Sequence, residues 1–193
     1  MAQQFLMVYW IKILAGLAVF IGLLALFFRQ GKTQAGDAGN GPSLLSKIDR
    51  LGKEYTLLRD IVIPARNGMI RIDHVVVSPY GIFVILVKNQ AGKVRGRMND
   101  REWIIKSGRR DDTIYNPLWE VRRMVNALED FLGPATFIPA VVFPRARLKS
   151  DFGRNVIPLS RLPGFIKQHR KHVLFQDRQE TVIERLKAGH SRG

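Results

Sequence analysis

The sequence predicts an α/β domain, built as a mixed sheet flanked by helices, that follows one N-terminal transmembrane helix. Residues 70–88 contain two apolar, strand-like runs that meet at a tight turn at residues 79–81. Residues 118–132 carry apolar side chains at helical spacing. Residues 5–28 are apolar except for Lys12. These three patterns predict, in turn, the strands, a flanking helix and the membrane segment.

The N-terminal apolar segment, residues 5–28, is long enough to cross a membrane as a helix. At about 1.5 Å per residue it spans about 35 Å, and a hydrocarbon core is about 30 Å thick. Tyr9, Trp10 and Lys12 cluster near one end, where aromatic rings and a snorkelling ammonium are favoured. A cleaved signal peptide is the alternative, but the start lacks a basic region and no A-x-A site follows. We therefore expect a retained, single-pass anchor.

Charge next to this segment predicts its orientation. Arg29 and Lys32 follow it directly, and the basic remainder of the chain lies beyond them. By the positive-inside rule, the C-terminal domain faces the cytoplasm. The chain has no cysteine, which agrees with a reducing compartment. The predicted location is the bacterial inner (plasma) membrane, with the C-terminal domain in the cytoplasm.

Composition divides the rest of the chain into three parts. Residues 29–43 are rich in Gly, Ala and polar residues without periodicity, and they predict a flexible linker. Residues 44–145 are expected to form the domain core. Residues 146–193 are expected to form a basic C-terminal helical extension, with helices over residues 160–170 and 178–188.

Within the predicted core, local patterns place the elements. A short helix over residues 44–51 follows Ser43 as its cap. Asn116-Pro117 predicts the start of a longer helix, which ends at Gly133. The predicted strands cover residues 55–63 (ended by Pro64), 70–78, 82–88, 93–97, 102–106 and 137–143. Residues 82–87 are all apolar, which is typical of a central strand covered on both faces.

The charge balance points to a polyanion partner. The formal net charge is +15, and residues 29–193 carry 30 basic against 16 acidic side chains. An excess of this size favours nucleic acid or anionic lipid as a partner about as strongly as it favours a merely soluble surface. Charge alone does not choose among them.

Two motifs resemble the NERD (nuclease-related domain) family, whose hairpin pattern is Asp-His-Val-Val, Gly-Ile-Phe and Glu-x-Lys-Asn. This chain has Asp73-His74-Val75-Val76, Gly81-Ile82-Phe83 and Leu86-Val87-Lys88-Asn89, followed by Gly92. The Asn-Pro-Leu helix from Asn116 is the second point of resemblance. Leu86 stands where the family has its second acid, and the first helix is shorter and poorer in acids than is usual. The resemblance implies a restriction-endonuclease-like fold and a role in nucleic-acid processing.

The resemblance also implies a metal-dependent phosphodiesterase site at the hairpin. In that site Asp73 would be a weak ligand to Mg²⁺ or Mn²⁺, and Lys88 would lie beside the attacking water or the phosphate. The metal ion is expected only if the site is active. Leu86 offers no ligand. Glu120, where the family usually has Gln, is the candidate replacement acid. The plainer alternatives are an Asp73–Lys88 ion pair and a first-turn Glu that suits the helix dipole.

Basic side chains in and after the hairpin form the candidate nucleic-acid surface, which comprises Lys88, Lys93, Arg95 and Arg97. Strand alternation places Lys93, Arg95 and Arg97 on one face. Such a face neutralises the phosphates of DNA or RNA without reading sequence. The alternative is a rim that rests on anionic lipid, because the linker to the membrane is short.

Other motifs carry less weight. Trp103 and Trp119 are candidates for base stacking, although packing is the commoner role of tryptophan. His169 and His172 lie three residues apart without a third ligand nearby, which argues against zinc. The chain has no P-loop, G-x-S-x-G or G-x-G-x-x-G motif.

The sequence therefore predicts a membrane-anchored, nucleic-acid-binding protein that is a degenerate nuclease, because Leu86 replaces the metal-binding Glu. Two alternatives stay open. One is an active metal-dependent nuclease that uses Glu120. The other is a membrane-bound scaffold whose basic face contacts anionic lipid or an acidic protein, and the sequence indicates no particular protein partner.

Overall fold

The computed structural model describes residues 44–190, so the membrane helix predicted at 5–28 and the linker at 29–43 lie outside the described residues. The helices are α1 (Leu44–Asp49), α2 (Pro117–Leu132), α3 (Leu162–Lys167) and α4 (Gln176–His190), with a 3₁₀ turn at Leu159–Arg161. The strands are β1 (Thr56–Ala65), β2 (Gly68–Ser78), β3 (Gly81–Val87), β4 (Gly92–Arg95), β5 (Glu102–Ser107), β6 (Arg110–Tyr115), β7 (Phe137–Phe143), β8 (Ala146–Leu148) and β9 (Val156–Pro158). Between residues 44 and 190, no helix is both long and apolar enough to span a membrane.

The strands form two mixed sheets. The first has the order β1-β2-β3-β7-β9, with antiparallel pairing from β1 to β3 and parallel pairing from β3 to β9. The second has the order β6-β5-β4-β8, and only its β4–β8 pair is parallel. The predicted α/β class with flanking helices is confirmed, but the strands divide between two sheets and do not form one.

β3 is the centre of the first sheet and of the core. It lies between β2 and β7, and its residues from Gly81 to Leu86 are all buried. Leu86 belongs to a cluster that also contains Leu128 of α2 and Leu186 of α4. Phe83 and Ile85 belong to a second cluster, which contains Ile48 of α1 and Ile166 of α3. Helices therefore cover both faces of β3, as its unbroken apolar run predicted.

All six predicted strands are present, with changes at their ends. β1 continues through Pro64, which pairs with Met69, to Ala65. The prediction that Pro64 ends the strand was wrong, because β1 is an edge strand and the missing N–H of proline removes no ladder bond there. The prediction missed β6, which is polar and exposed, and also β8 and β9, which have three residues each.

The C-terminal part of the domain, predicted as a helical extension, contains strands as well as helices. After residue 145 the chain adds β8 to the second sheet and β9 to the first. Val182 and Leu186 of α4 are fully buried in the same cluster as Leu86. The predicted helix over residues 160–170 is the 3₁₀ turn followed by α3, and the helix predicted over 178–188 is α4. These segments complete the core that β3 begins.

Asn116 joins the start of α2 to the loop between β4 and β5. Its side chain is fully buried, and its Oδ1 accepts a hydrogen bond from Leu118 N at 2.9 Å. Its Nδ2 donates to Met98 O at 2.9 Å and to Asp100 O at 2.6 Å. The predicted helix cap is thus confirmed, and the same side chain also satisfies two carbonyl groups of the loop.

Replacing Asn116 should separate these two functions. Asn116→Ala removes both and should lower the free energy of unfolding by about 2–4 kcal/mol, because a buried cap and two buried acceptors lose their partner. Asn116→Asp keeps the cap acceptor but places a carboxylate against two carbonyl groups. Thermal unfolding followed by circular dichroism would measure both variants. Wild-type stability in Asn116→Asp would contradict the importance of the loop contacts.

Candidate functional site

Lys88 follows the end of β3 and faces the first turn of α2. Its backbone N donates to Val142 O of β7 at 2.9 Å, which fixes the chain at the carboxyl ends of these parallel strands. Its Nζ lies 2.5 Å from Glu120 Oε2. The side chains are 17% and 32% exposed, respectively, so the ion pair is partly shielded from water. The structure therefore brings together two of the three predicted catalytic residues.

Leu86 occupies packed interior next to this ion pair. It precedes Lys88 by two residues, so strand alternation places both side chains on the α2 face of the sheet. Leu86 is 3% exposed and belongs to the same cluster as Val121 and Leu128 of α2. At the position where the family has an acid, both the side chain and its surroundings are therefore apolar.

Asp73, the third predicted catalytic residue, lies on the neighbouring strand. The β2–β3 register pairs His74 with Ile85, and one further step puts Asp73 opposite Leu86 on the same face. Asp73 is half-buried. Among residues 44–190 the ion pair of Lys88 is with Glu120 and not with Asp73. The Asp73–Lys88 ion pair considered above is therefore not the arrangement observed.

The sheet is distorted beside Asp73. The β1–β2 ladder pairs Arg59 with His74 and Ile61 with Ile72, but Asp60 and Asp73, which lie between these pairs, are not paired with each other. Asp60, which faces this gap, has φ of 54° and is the non-glycine residue with positive φ within the described part of the chain. Its carboxylate accepts a hydrogen bond from Arg71 Nη2. Sequence patterns gave no signal for this distortion.

The surroundings of His74 favour its neutral form over its charged form. Burial lowers the pKa of His74 below the ordinary value of 6.5, and Arg59 lowers it further, against the opposing effect of Asp73 and Asp60. Its Nδ1 is buried without a hydrogen-bond partner. The charged groups around it, all on β1 and β2, therefore do not outweigh the loss of water.

The donor groups at this place do not fit a divalent cation. Glu120 is engaged by the ammonium of Lys88, and Leu86 supplies no oxygen. Within residues 44–190, no three or more His, Asp or Glu side chains are grouped so that they could hold a metal ion. Asp73 is then the one predicted carboxylate that is not engaged by Lys88, and Mg²⁺ or Mn²⁺ held there would need its other ligands from backbone, water or substrate oxygens.

The exposed face of the second sheet carries aligned cations. Lys93 of β4 pairs with Lys106 of β5 and with Arg147 of β8, so the three side chains lie side by side on one face. We call these three residues the basic row. Arg95 lies on the same face, two residues beyond Lys93, while Val94 between them is buried. Lys106 also contacts Asp111 at 3.6 Å.

Arg97 does not continue this face, contrary to the alternation expected from sequence. β4 ends at Arg95, and Gly96 lies against the ring of Trp103, where a Cβ would come within 2.5 Å of Cδ1. The backbone N of Arg97 donates to Asp100 Oδ2 in the bend that follows. Lys106 and Arg147 lie beside Lys93 instead. Both are basic in the sequence, but their alignment with Lys93 was not predictable because the register between strands is not visible in a single strand.

The tryptophans and histidines considered as candidates pack against other aromatic rings. Trp103 is fully buried, its ring centroid is 4.2 Å from that of Phe152, and it donates to Arg97 O. Trp119 is half-buried and meets Tyr115 edge-on at 5.9 Å. His169 lies against Phe83 and Phe165, and His172 lies against Tyr80. The two histidines therefore have separate environments.

The lowered pKa of His74 predicts a pH dependence of stability. Because the unfolded chain binds this proton more readily, the contribution of His74 is complete above pH 6.5 and is lost as the pH falls through the folded-state pKa. His74→Phe should therefore flatten the loss of stability on acidification. Melting temperatures of the wild type and of His74→Phe across this pH range would test the prediction. The other histidines contribute equally to both proteins, so their effect cancels in the difference between the two melting temperatures. Parallel curves would contradict the prediction.

Comparison of the sequence with known proteins identifies its family. The family model of the nuclease-related domain (NERD) matches residues 43–144, which include Asp73, Leu86, Lys88 and Glu120. An uncharacterized protein of Bacillus anthracis is 28% identical over 116 residues, which cover 58% of this chain and 54% of that protein. The chain thus spans about half the length of this curated relative, and no solved structure matches it. Since the family model covers more than half of the sequence, the chain belongs to the nuclease-related domain family.

Proposed function

We propose that this chain is a membrane-anchored nuclease-related protein that binds nucleic acid through its second sheet and cleaves it weakly or not at all. The observation that carries the proposal is Leu86, an apolar side chain with 3% exposure at the position of the family's second acid. Phosphodiester hydrolysis at neutral pH needs a cation that balances developing charge and supplies hydroxide. Within residues 44–190, Glu120 is paired with Lys88 and Asp60 with Arg71, so neither carboxylate is free to hold such a cation together with Asp73.

The basic row supports binding without cleavage. Neighbouring strands are about 4.8 Å apart, so Lys106, Lys93 and Arg147 span about 10 Å of exposed surface. Within residues 44–190, Lys93 and Arg147 have no carboxylate partner. Cations arranged in this way contact phosphates and contribute affinity that does not depend on sequence.

An active nuclease is the second candidate, and Glu120 is the observation that favours it. The carboxylate of Glu120 reaches Lys88 at the end of β3, which is the end where the family's second acid would lie. Under this alternative, Glu120 replaces that acid and the Lys88 contact is part of a working site. The two candidates make opposite predictions for removal of the Glu120 charge.

Glu120→Gln should strengthen nucleic-acid binding. The amide keeps a hydrogen-bond acceptor for Lys88 but removes a negative charge, which leaves the ammonium available to a phosphate. We expect the affinity of the full-length chain for duplex DNA to rise about two- to fivefold at about 0.15 M salt, the gain of roughly one phosphate contact. Fluorescence anisotropy in detergent solution would measure it, and neither protein should cleave DNA in Mg²⁺ or Mn²⁺.

Matched variants make this test specific. Lys93→Gln and Arg147→Gln should each lower the slope of log affinity against log salt by about one, whereas Arg161→Gln, an exposed cation outside the basic row, should leave it unchanged. Metal-dependent cleavage that is lost in both Asp73→Ala and Glu120→Gln would establish the active nuclease instead. Binding to anionic vesicles that DNA does not displace would favour the scaffold.

Leu86→Glu should create a stability that depends on metal. A carboxylate at this buried position should lower the free energy of unfolding by about 3–5 kcal/mol when no cation is present. Because Asp73 lies opposite on the same face, Mn²⁺ should raise the melting temperature of the variant but not that of the wild type. Leu86→Gln is the matched uncharged control. If Mn²⁺ shifts neither variant, the surrounding groups no longer form a metal site.

A further inference from the structure

A cleft with a volume of about 630 Å³ lies beside α2, lined by residues distinct from Asp73, Leu86, Lys88 and Glu120. Its apolar lining includes Val125, Pro139 and Phe152, and the half-buried Trp119 lies beside them. Volumes of this order are typical of sites that bind small molecules or single groups of larger ones. A flat aromatic group with a polar attachment fits this combination of size and lining.

The walls of the cleft are fixed by contacts with the core. The loop that carries Met98 is held by Asn116 Nδ2, which donates to Met98 O. The facing loop is held by Val141 N of β7, which donates to Asn155 O at 2.7 Å. The two loops meet at Gly153, where a Cβ would lie 2.9 Å from Met98 Sδ. The cleft is therefore preformed, and a ligand would not have to order its walls.

The polar rim supplies donors for a phosphate and an acceptor for a base. Arg122 and Arg154 line the cleft, are exposed, and have no carboxylate partner within residues 44–190. Guanidinium groups bind phosphate oxygens in a bidentate manner and also stack on planar rings. Glu129, on the same rim, is an acceptor for the amino group of a base. Trp119 offers an aromatic surface on which any base can stack.

The cleft lies near the cations of β4, although Phe152 in its lining packs on Trp103, which is on the opposite face of the second sheet from the basic row. Met98 in its wall follows Arg95 of β4 by three residues, which limits the separation of the two Cα atoms to about 11 Å. A strand whose phosphates lie on the cations of the second sheet is thus within a few nucleotides of the cleft. In a duplex, the bases are paired and stacked, so only an unpaired base is available to enter.

We propose that this cleft receives an unpaired base of a nucleic-acid strand whose phosphates contact the basic row. The proposal rests on the proposed nucleic-acid binding and adds a preference for single-stranded or locally opened substrate. Trp119 stacks on the base, and Arg122 and Arg154 bind the adjoining phosphates. The basic row supplies the part of the affinity that single strands and duplexes share.

The test compares a short single-stranded oligonucleotide with its duplex on the full-length chain in detergent. The single strand should bind more tightly and quench tryptophan emission, and the quenching should be absent in Trp119→Ala. That variant should lose about tenfold in affinity for the single strand and keep its affinity for the duplex within about twofold. Trp119→Phe should retain most of the affinity, and Phe175→Ala, an exposed aromatic outside the cleft, should change neither.

The possible outcomes separate this inference from the proposed function. If Trp119→Ala weakens single-strand and duplex binding equally, or if the strand quenches no emission from Trp119, the cleft proposal is overturned while binding by the basic row stands. If deoxyadenosine monophosphate quenches Trp119 as strongly as the strand at equal concentration, the cleft is a site for free nucleotides and the strand proposal fails. If neither oligonucleotide binds, both proposals fail. Loss of single-strand preference in Arg154→Gln would support the assignment independently of Trp119.

Discussion

The ion pair between Lys88 and Glu120 determines how the end of β3 is used. Lys88 is fixed through its backbone to β7 and through its side chain to the first turn of α2. With 17% of its side chain exposed, the ammonium has lost much of its hydration, and without a nearby counter-charge this loss would be costly. Glu120 supplies that charge and also lies where the helix dipole favours an anion. The pair therefore stabilises the junction of sheet and helix, and it leaves little net charge there for a phosphate.

Packing and metal binding compete at the neighbouring position. Leu86 contributes an apolar side chain to a cluster that joins β3 to α2 and α4. A fully buried leucine is worth about 1.5–3 kcal/mol, a large share of the stability of a domain this size. A carboxylate at this place would give up that contribution and would need a cation to compensate it. The fold as it stands favours the packed state.

Local sequence patterns predicted those parts of the domain that depend on neighbouring residues. The alternation through residues 70–88 and the cap at Asn116 gave β2, β3 and the start of α2, because side-chain direction and capping are fixed within a few residues. The basic row was only partly predictable, since Lys93 meets Lys106 and Arg147 through the register of three separate strands. The distortion at Asp60 and the cleft beside Trp119 were not predictable, because they arise where segments distant in sequence pack together.

The residues at positions 86 and 120 are best understood together, because a carboxylate is absent from the strand and present on the helix. In the pattern that this hairpin resembles, an acid two residues before the lysine lies on the same strand face, and the helix carries a neutral glutamine. Here the strand carries Leu86 and the helix carries Glu120, so Lys88 keeps one carboxylate neighbour. Such an exchange preserves the electrostatic balance of a partly buried lysine, which the fold requires whether or not a cation binds. It does not reproduce the ligand set of that pattern residue for residue, because the carboxylate has moved from the strand beside Asp73 to the first turn of the helix. The acid at position 120 thus has a structural role in this fold, as the counter-charge of Lys88.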